Sequence, residues 1–154
     1  MATAPETRTA LEIAETLLTR ADAALEAGDF AAMAPCFTLP YRHSTAEGET
    51  RLDQLSELEA LFQKMQEQFR SLGVTRIDRV VTEARFAGPG RIAATHETHL
   101  FAGETPVIAP YQAISDLAWA DGDWRVQASH YTATRDKGHA AALTPDRPGP
   151  GADD

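Results

Sequence analysis

The spacing of apolar residues changes at Gly73, and this change constrains the fold more than any other feature of the chain. The preceding segment, LDQLSELEALFQKMQEQFRSLG, has apolar residues every three or four positions, which is typical of an amphipathic helix. After Gly73, apolar and polar residues alternate in four segments that turn signals separate, which predicts an antiparallel meander. The four predicted strands are VTRIDRVVTEARFA, GRIAATHETHLFA, TPVIAPYQAISDLAWA and DWRVQASHYTAT.

Two further helices are predicted before the long one. Apolar residues at helical spacing predict a first helix over residues 9–27, which Gly28 ends. Asp29 is placed to cap a short second helix, FAAMAPCF, which precedes the extended segment TLPYRHST. The stripe of the first helix consists of Leu11, Ala14, Leu18, Ala21 and Leu25.

Three helices and a long antiparallel sheet predict an α+β fold, with the third helix covering the apolar face of the sheet. Strands of about ten to fourteen residues must bend. A strongly bent sheet closed by helices forms a cone with a cavity.

The domain organisation follows from length and local composition. A chain of 154 residues fits one domain. We expect a flexible N-terminus over 1–8, a folded domain over 9–134, and a disordered tail over 135–154, because the tail is rich in Pro and Gly and has few large apolar residues.

Charge and cysteine content exclude several classes of protein. The net charge is −9 and the basic residues are scattered, which argues against nucleic-acid binding. The single cysteine, Cys36, predicts neither a disulfide nor a zinc site. Acidic residues interrupt the N-terminal apolar residues, so we expect no signal peptide, no membrane span and a cytoplasmic location.

Several polar residues occupy positions where alternation predicts an apolar face, and we expect them to converge on the cavity. His130 and His96 are the candidate catalytic residues, but the commoner role of such a residue is a buried structural imidazole with satisfied hydrogen bonds. His43 lies beside a predicted loop and is expected to be exposed. The candidate ligand-binding residues are Tyr41, His96, Tyr111, Ser115, Trp124 and His130.

The segment HETH does not predict a metal site. His96 and His99 are three residues apart, and in a strand such residues point to opposite faces. The chain also has no glycine-rich loop that would cradle a phosphate. We therefore expect no metal and no cofactor.

The order of elements resembles the NTF2-like superfamily, in particular its SnoaL-like and ketosteroid-isomerase-like small proteins. The matching features are the AGDF joint, the segments PYRHST and GET, the long helix ending in Gly73, and the final DG-x-WRV hairpin with His130 six residues after its Trp. The resemblance covers about residues 9–133 and implies a cone of three helices on a bent, mostly antiparallel sheet. Members of this superfamily include enzymes, transport factors and oligomerisation modules, so function stays open.

Three functions are compatible with these observations. The first is binding of a small apolar ligand in the cone, and the second is proton transfer by a pocket histidine with a tyrosine donor. The third is a non-catalytic dimerisation domain. We expect a homodimer for two reasons. Apolar residues also lie on the opposite face of the third strand, and the resemblance to the family implies self-association. These apolar residues are Ile108, Ile114 and Ala118.

Overall fold

The computed structural model describes residues 8–131, and apart from Arg8 the predicted terminal segments 1–8 and 135–154 lie outside the described residues. The helices are α1 (Ala10–Ala27), α2 (Phe30–Met33) and α3 (Leu55–Leu72). The strands are β1 (Phe37–Thr45), β2 (Gly48–Leu52), β3 (Arg76–Phe86), β4 (Arg91–Ala102), β5 (Thr105–Pro106), β6 (Tyr111–Ala120) and β7 (Asp123–Tyr131).

The strands form a single sheet in the order β2-β1-β7-β6-β4-β3, and the short β5 pairs with β4. All neighbours are antiparallel except β1 and β7, which run parallel. The predicted α+β class and the meander are therefore confirmed. The third predicted strand is divided into β5 and β6, because residues 107–110 leave the ladder and end in Pro110, which has no N–H to donate.

Local signals set the helix ends. Thr9 and Glu12 form a capping box at the start of α1, and Gly28 ends that helix in a left-handed conformation with φ 70°. Asp29 caps α2, as predicted. The predicted second helix stops early because a separate 3₁₀ turn, Ala34–Cys36, follows Met33 and has Pro35 in its first positions.

The helices cover one face of the sheet, and α1 and α3 contact different strands. α1 packs along β3 and also contacts β4 and β7, whereas α3 contacts β2 and the 3₁₀ turn. The sequence favours the third helix as the cover of the sheet, whereas α1 has the more extensive contact with the strands. Small buried residues in the stripe of α1, Ala14 and Ala21, allow this helix to approach the sheet closely.

Strict alternation holds along β4 and through the first seven residues of β6. Every second residue of these two stretches is buried: Ile92, Ala94, His96, Thr98 and Leu100 on β4, and Tyr111, Ala113, Ser115 and Leu117 on β6.

A bulge interrupts the alternation of β7. Val126 and Ala128 pair with consecutive residues of β6, so Gln127 is an extra residue in the strand. As a result Ala128 and Ser129 are both buried, and His130 is exposed on the outer face. The prediction that His130 shares the buried face is wrong, because one added residue reverses every side chain that follows it.

The exposed position predicted for His43 is also wrong. β1 extends to Thr45 and pairs with β2 on one side and with β7 on the other. His43 therefore lies within the sheet on its covered face, and it is only 1% exposed.

Candidate functional site

A cavity of about 50 Å³ lies between the helices and the covered face of the sheet. The helical side of its wall is mainly apolar, and the sheet contributes most of the polar groups. Helical lining residues include Leu18, Leu25, Met33, Leu58, Phe62 and Met65. The polar lining residues are Asp22, Tyr41, His43, Arg79, Ser115, Ser129 and Tyr131.

A buried ion pair joins α1 to β3 at one end of this cavity. Arg79 donates from Nε to Oδ2 of Asp22 at 2.9 Å and from Nη2 to Oδ1 at 2.8 Å. Both side chains are about nine-tenths buried. Burial lowers the pKa of Arg79, but the neighbouring Asp22 carboxylate outweighs this effect and holds the pKa above its usual value. The two charges therefore compensate each other inside the protein.

His96 continues the polar chain beyond the ion pair. Its Nδ1 lies 3.3 Å from Nη1 of Arg79, and its Nε2 lies 2.9 Å from Oγ of Ser115. Burial, together with the positive charge of Arg79, lowers the pKa of His96 to about 3. His96 is therefore neutral at neutral pH.

A second polar cluster lies on β1 and β7. The hydroxyl of Tyr41 is 2.8 Å from Nδ1 of His43, and the rings of His43 and Tyr131 are 5.0 Å apart between centroids. Tyr111 packs against Tyr131 at 6.1 Å. Burial raises the pKa of Tyr41 and also the pKa of Tyr111, so both phenols stay protonated at neutral pH.

The structure brings together four of the six predicted ligand-binding residues. Tyr41 and Ser115 line the cavity. His96 lies one hydrogen bond behind Ser115, and Tyr111 packs against a lining residue, Tyr131.

The other two predicted residues lie elsewhere. Trp124 is buried in the core, where it packs edge-on against Trp119 with ring centroids 5.8 Å apart. His130 is on the outer face of the sheet, and its Nδ1 is hydrogen-bonded to the hydroxyl of Ser44.

Five polar lining residues were missed by the sequence reasoning: Asp22, His43, Arg79, Ser129 and Tyr131. The sequence pattern could have indicated two of them, Asp22 and Arg79, because each places a single charged residue in an otherwise apolar face. Asp22 lies in the stripe of α1 between Leu18 and Leu25, and Arg79 alternates with apolar neighbours on β3. Opposite charges on two buried faces predict a buried pair.

The histidines of HETH point to opposite faces, as expected for a strand. His96 is buried, whereas His99 is half-buried on the outer face and lies 2.9 Å from Oε1 of Glu97. Within residues 8–131, no group of three or more His, Cys, Asp or Glu side chains is arranged to hold a metal ion. No helix in that range has the length and apolar character needed to cross a membrane.

No protein-family model and no curated protein matches this sequence. Solved structures do resemble it in fold. An NTF2-like protein of unknown function from Shewanella oneidensis is 14% identical with a TM-score of 0.63, and the match covers 79% of this chain and 98% of that one.

Two other structures extend the comparison. A domain of unknown function with a cystatin-like fold from Nostoc punctiforme is 21% identical, with a TM-score of 0.63 and coverage of 85% of this chain and 82% of that one. A ketosteroid isomerase-like protein from Erwinia carotovora atroseptica is 16% identical, with a TM-score of 0.59 and coverage of 79% and 94%. At these identities the likeness shows the fold alone: the chain has an NTF2-like α+β fold.

Proposed function

We propose that the protein binds a small, largely apolar molecule in the cone, with the polar end of that molecule directed toward the sheet. The observation that carries the proposal is the two-sided cavity, with an apolar helical wall facing hydroxyl and imidazole groups on the strands. Ligand sites commonly combine an apolar lining with a few polar groups that fix orientation. Among the ligand-binding residues predicted from the sequence, Tyr41 and Ser115 line the cavity and offer their hydroxyls as such polar groups.

The cavity volume sets the size of the ligand. A volume of about 50 Å³ is one third of an engineered apolar cavity of about 150 Å³ that binds benzene. Met33 and Met65 line the helical side, and methionine side chains rearrange readily because they are unbranched and flexible. Because rearrangement of these side chains enlarges the site, a small ring compound of about six non-hydrogen atoms is the upper limit of the ligand size that we expect.

The methyl groups of these two methionines provide the test. We would titrate protein carrying ¹³C-labelled methionine methyls with cyclobutanone, cyclopentanone and cyclohexanone, and follow the NMR signals of Met33 and Met65. Binding should shift both signals in a saturable way. Unchanged signals with all three ketones at millimolar concentration would contradict the proposal.

A matched pair of variants separates the cavity from the surface. Ala21 lines the cavity, so Ala21→Val adds two carbon atoms there and should weaken ketone binding at least tenfold. Ala23 lies on the exposed side of the same helix. Ala23→Val should leave binding unchanged.

Proton transfer is the second candidate function, and the Tyr41–His43 pair favours it. This pair places an imidazole 2.8 Å from a buried phenol in the wall of the cavity, the two group types that an isomerase-like reaction needs. His43 is a better candidate base than His130, which is outside, or than His96, whose pKa of about 3 makes it a weak base.

Hydrogen–deuterium exchange distinguishes the two functions. A base that removes a proton from the carbon beside a ketone should accelerate deuteration of cyclopentanone in D₂O, and His43→Gln should reduce this rate by roughly a hundredfold while leaving binding intact. A protein that only binds the ketone gives the uncatalysed exchange rate.

We also propose that the protein forms a homodimer through the outer face of the sheet. Ile114 on β6 and Val80 on β3 point outward and are 44% and 50% exposed. Exposed apolar residues on the uncovered face of an antiparallel sheet are a common basis for self-association.

A further inference from the structure

The direction of the hydrogen bonds behind the cavity is set by Arg79. A guanidinium group donates hydrogen bonds and accepts none. The bond between Arg79 Nη1 and His96 Nδ1 therefore requires Nδ1 to be the acceptor. In neutral His96 the proton must then lie on Nε2, and this N–H donates to Oγ of Ser115 at 2.9 Å.

Ser115 is thereby left with a hydrogen to donate. Its oxygen accepts from His96, so its O–H must find another acceptor. The remaining partner within residues 8–131 is Oγ of Ser129, 3.5 Å away. That distance is long compared with about 2.7–2.8 Å for an ordinary O–H···O bond. Ser115 itself lines the cavity, so a ligand oxygen there offers a better acceptor.

The charges around the cavity indicate which ligands fit. Asp22 and Arg79 neutralise each other through two short hydrogen bonds, and His96 is neutral. Tyr41 is a protonated phenol. A charged ligand would lose its hydration on entry without meeting an uncompensated opposite charge among these groups, which is costly.

We propose that Ser115 is an obligatory hydrogen-bond donor to the bound molecule, and that the site therefore selects uncharged ligands with an acceptor oxygen, such as small ketones. The Asp22–Arg79–His96 chain acts as a positioning device, because it fixes the tautomer of His96 and hence the direction of the Ser115 hydroxyl. This inference rests on the proposed ligand-binding function and specifies the ligand class for that site.

Two ligands of nearly equal shape test the inference. Cyclopentanone and methylenecyclopentane differ in having an oxygen acceptor or a CH₂ group at the same position. Their affinities would be measured by the methionine-methyl titration, together with those of cyclopentylammonium and cyclopentanecarboxylate. The ketone should bind about tenfold more tightly than the alkene, as expected for one well-made hydrogen bond. The two ions should bind at least tenfold more weakly than the ketone.

Two serine variants locate the donor. Ser115→Ala should abolish the preference for the ketone and leave the affinity for the alkene within twofold of its original value. Ser44→Ala, on β1 where its hydroxyl contacts His130, should retain the preference. ¹⁵N chemical shifts of His96 should also show a neutral ring with its proton on Nε2.

The outcomes separate the two proposals. Equal binding of ketone and alkene, or a preference that survives Ser115→Ala, would overturn the role of Ser115 while leaving the ligand site intact. If neither neutral molecule shifts the methionine signals, the ligand-binding function fails, and the inference fails with it.

Discussion

His96 shows how burial decides the charge state of a single side chain. Its pKa in the folded protein is about 3, whereas an unperturbed histidine has a pKa of about 6.5. Between these values the unfolded chain binds more protons than the folded one, so stability falls as pH decreases. Protonation of His96 in the unfolded chain begins below about pH 6.5 and favours unfolding. We therefore expect the free energy of unfolding to be about 2 kcal/mol lower at pH 5 than at pH 7.

The measurement is urea unfolding at both pH values, with His96→Gln as the comparison. Glutamine can accept from Arg79 and donate to Ser115, but it does not titrate. The variant should therefore lose about 2 kcal/mol less than the parent protein between pH 7 and pH 5. An identical pH dependence in the two proteins would show that His96 is not the group responsible.

His130 and His43, whose exposure was predicted wrongly, should respond differently to substitution by alanine. His130 is exposed, so His130→Ala should change the free energy of unfolding by no more than about 0.5 kcal/mol. His43 is buried and bonded to Tyr41, so His43→Ala leaves a void and a buried hydroxyl without this partner. We expect that variant to lose about 2–3 kcal/mol. Thermal or urea unfolding of both variants checks this, and comparable losses would contradict the assignment of faces.

At the scale of elements, the Asp22–Arg79 pair connects α1 to β3. Removing one partner leaves a buried charge without compensation, so Asp22→Leu should cost about 3–5 kcal/mol. Replacing both partners, as Asp22→Leu with Arg79→Met, removes that uncompensated charge. The double variant should therefore be more stable than the single one.

Urea unfolding of the two singles and the double gives the coupling energy of the pair. If the losses of the single variants simply add in the double variant, the two charges do not stabilise each other.

The elements differ in how well their residues could be placed from the sequence. Periodicity and glycine ends located α1 and α3 to within a few residues, and alternation located the inward face of β4, because these elements are regular. The bulge at Gln127 has no residue type that marks it. Alternation along β7 therefore fails from that point on, and with it the assignment of His130, Ser129 and Tyr131.

His43 was missed for a different reason. Its burial depends on the pairing of β1 with β7, which lie more than eighty residues apart in the chain. Local sequence around PYRHST does not encode such a contact, whereas the alternating faces within β4 follow from neighbouring residues. The fold class was therefore predictable, whereas His43, Ser129 and Tyr131 could not be placed because a remote pairing or a bulge decides which way they point.

At the scale of the whole molecule, the covered face of the sheet lines the cavity, and the dimer that we propose uses the outer face. Ile114 lies near the centre of β6, opposite His130 of β7. A stable interface usually buries about 1,200–2,000 Å² in total. A charge introduced at such a position must lose its hydration on association, so Ile114→Lys should weaken the dimer strongly.

Light scattering at micromolar concentration should give about twice the chain mass of 16.7 kDa for the parent protein, and a mass close to that of one chain for Ile114→Lys. Leu55 provides the control, since it is 53% exposed at the start of α3, on the helical side of the sheet. Leu55→Lys adds the same charge and should keep the dimer mass, because it leaves the outer sheet face unchanged. A parent protein that stays monomeric at every concentration would refute the dimer, and dissociation caused equally by both substitutions would place the interface elsewhere.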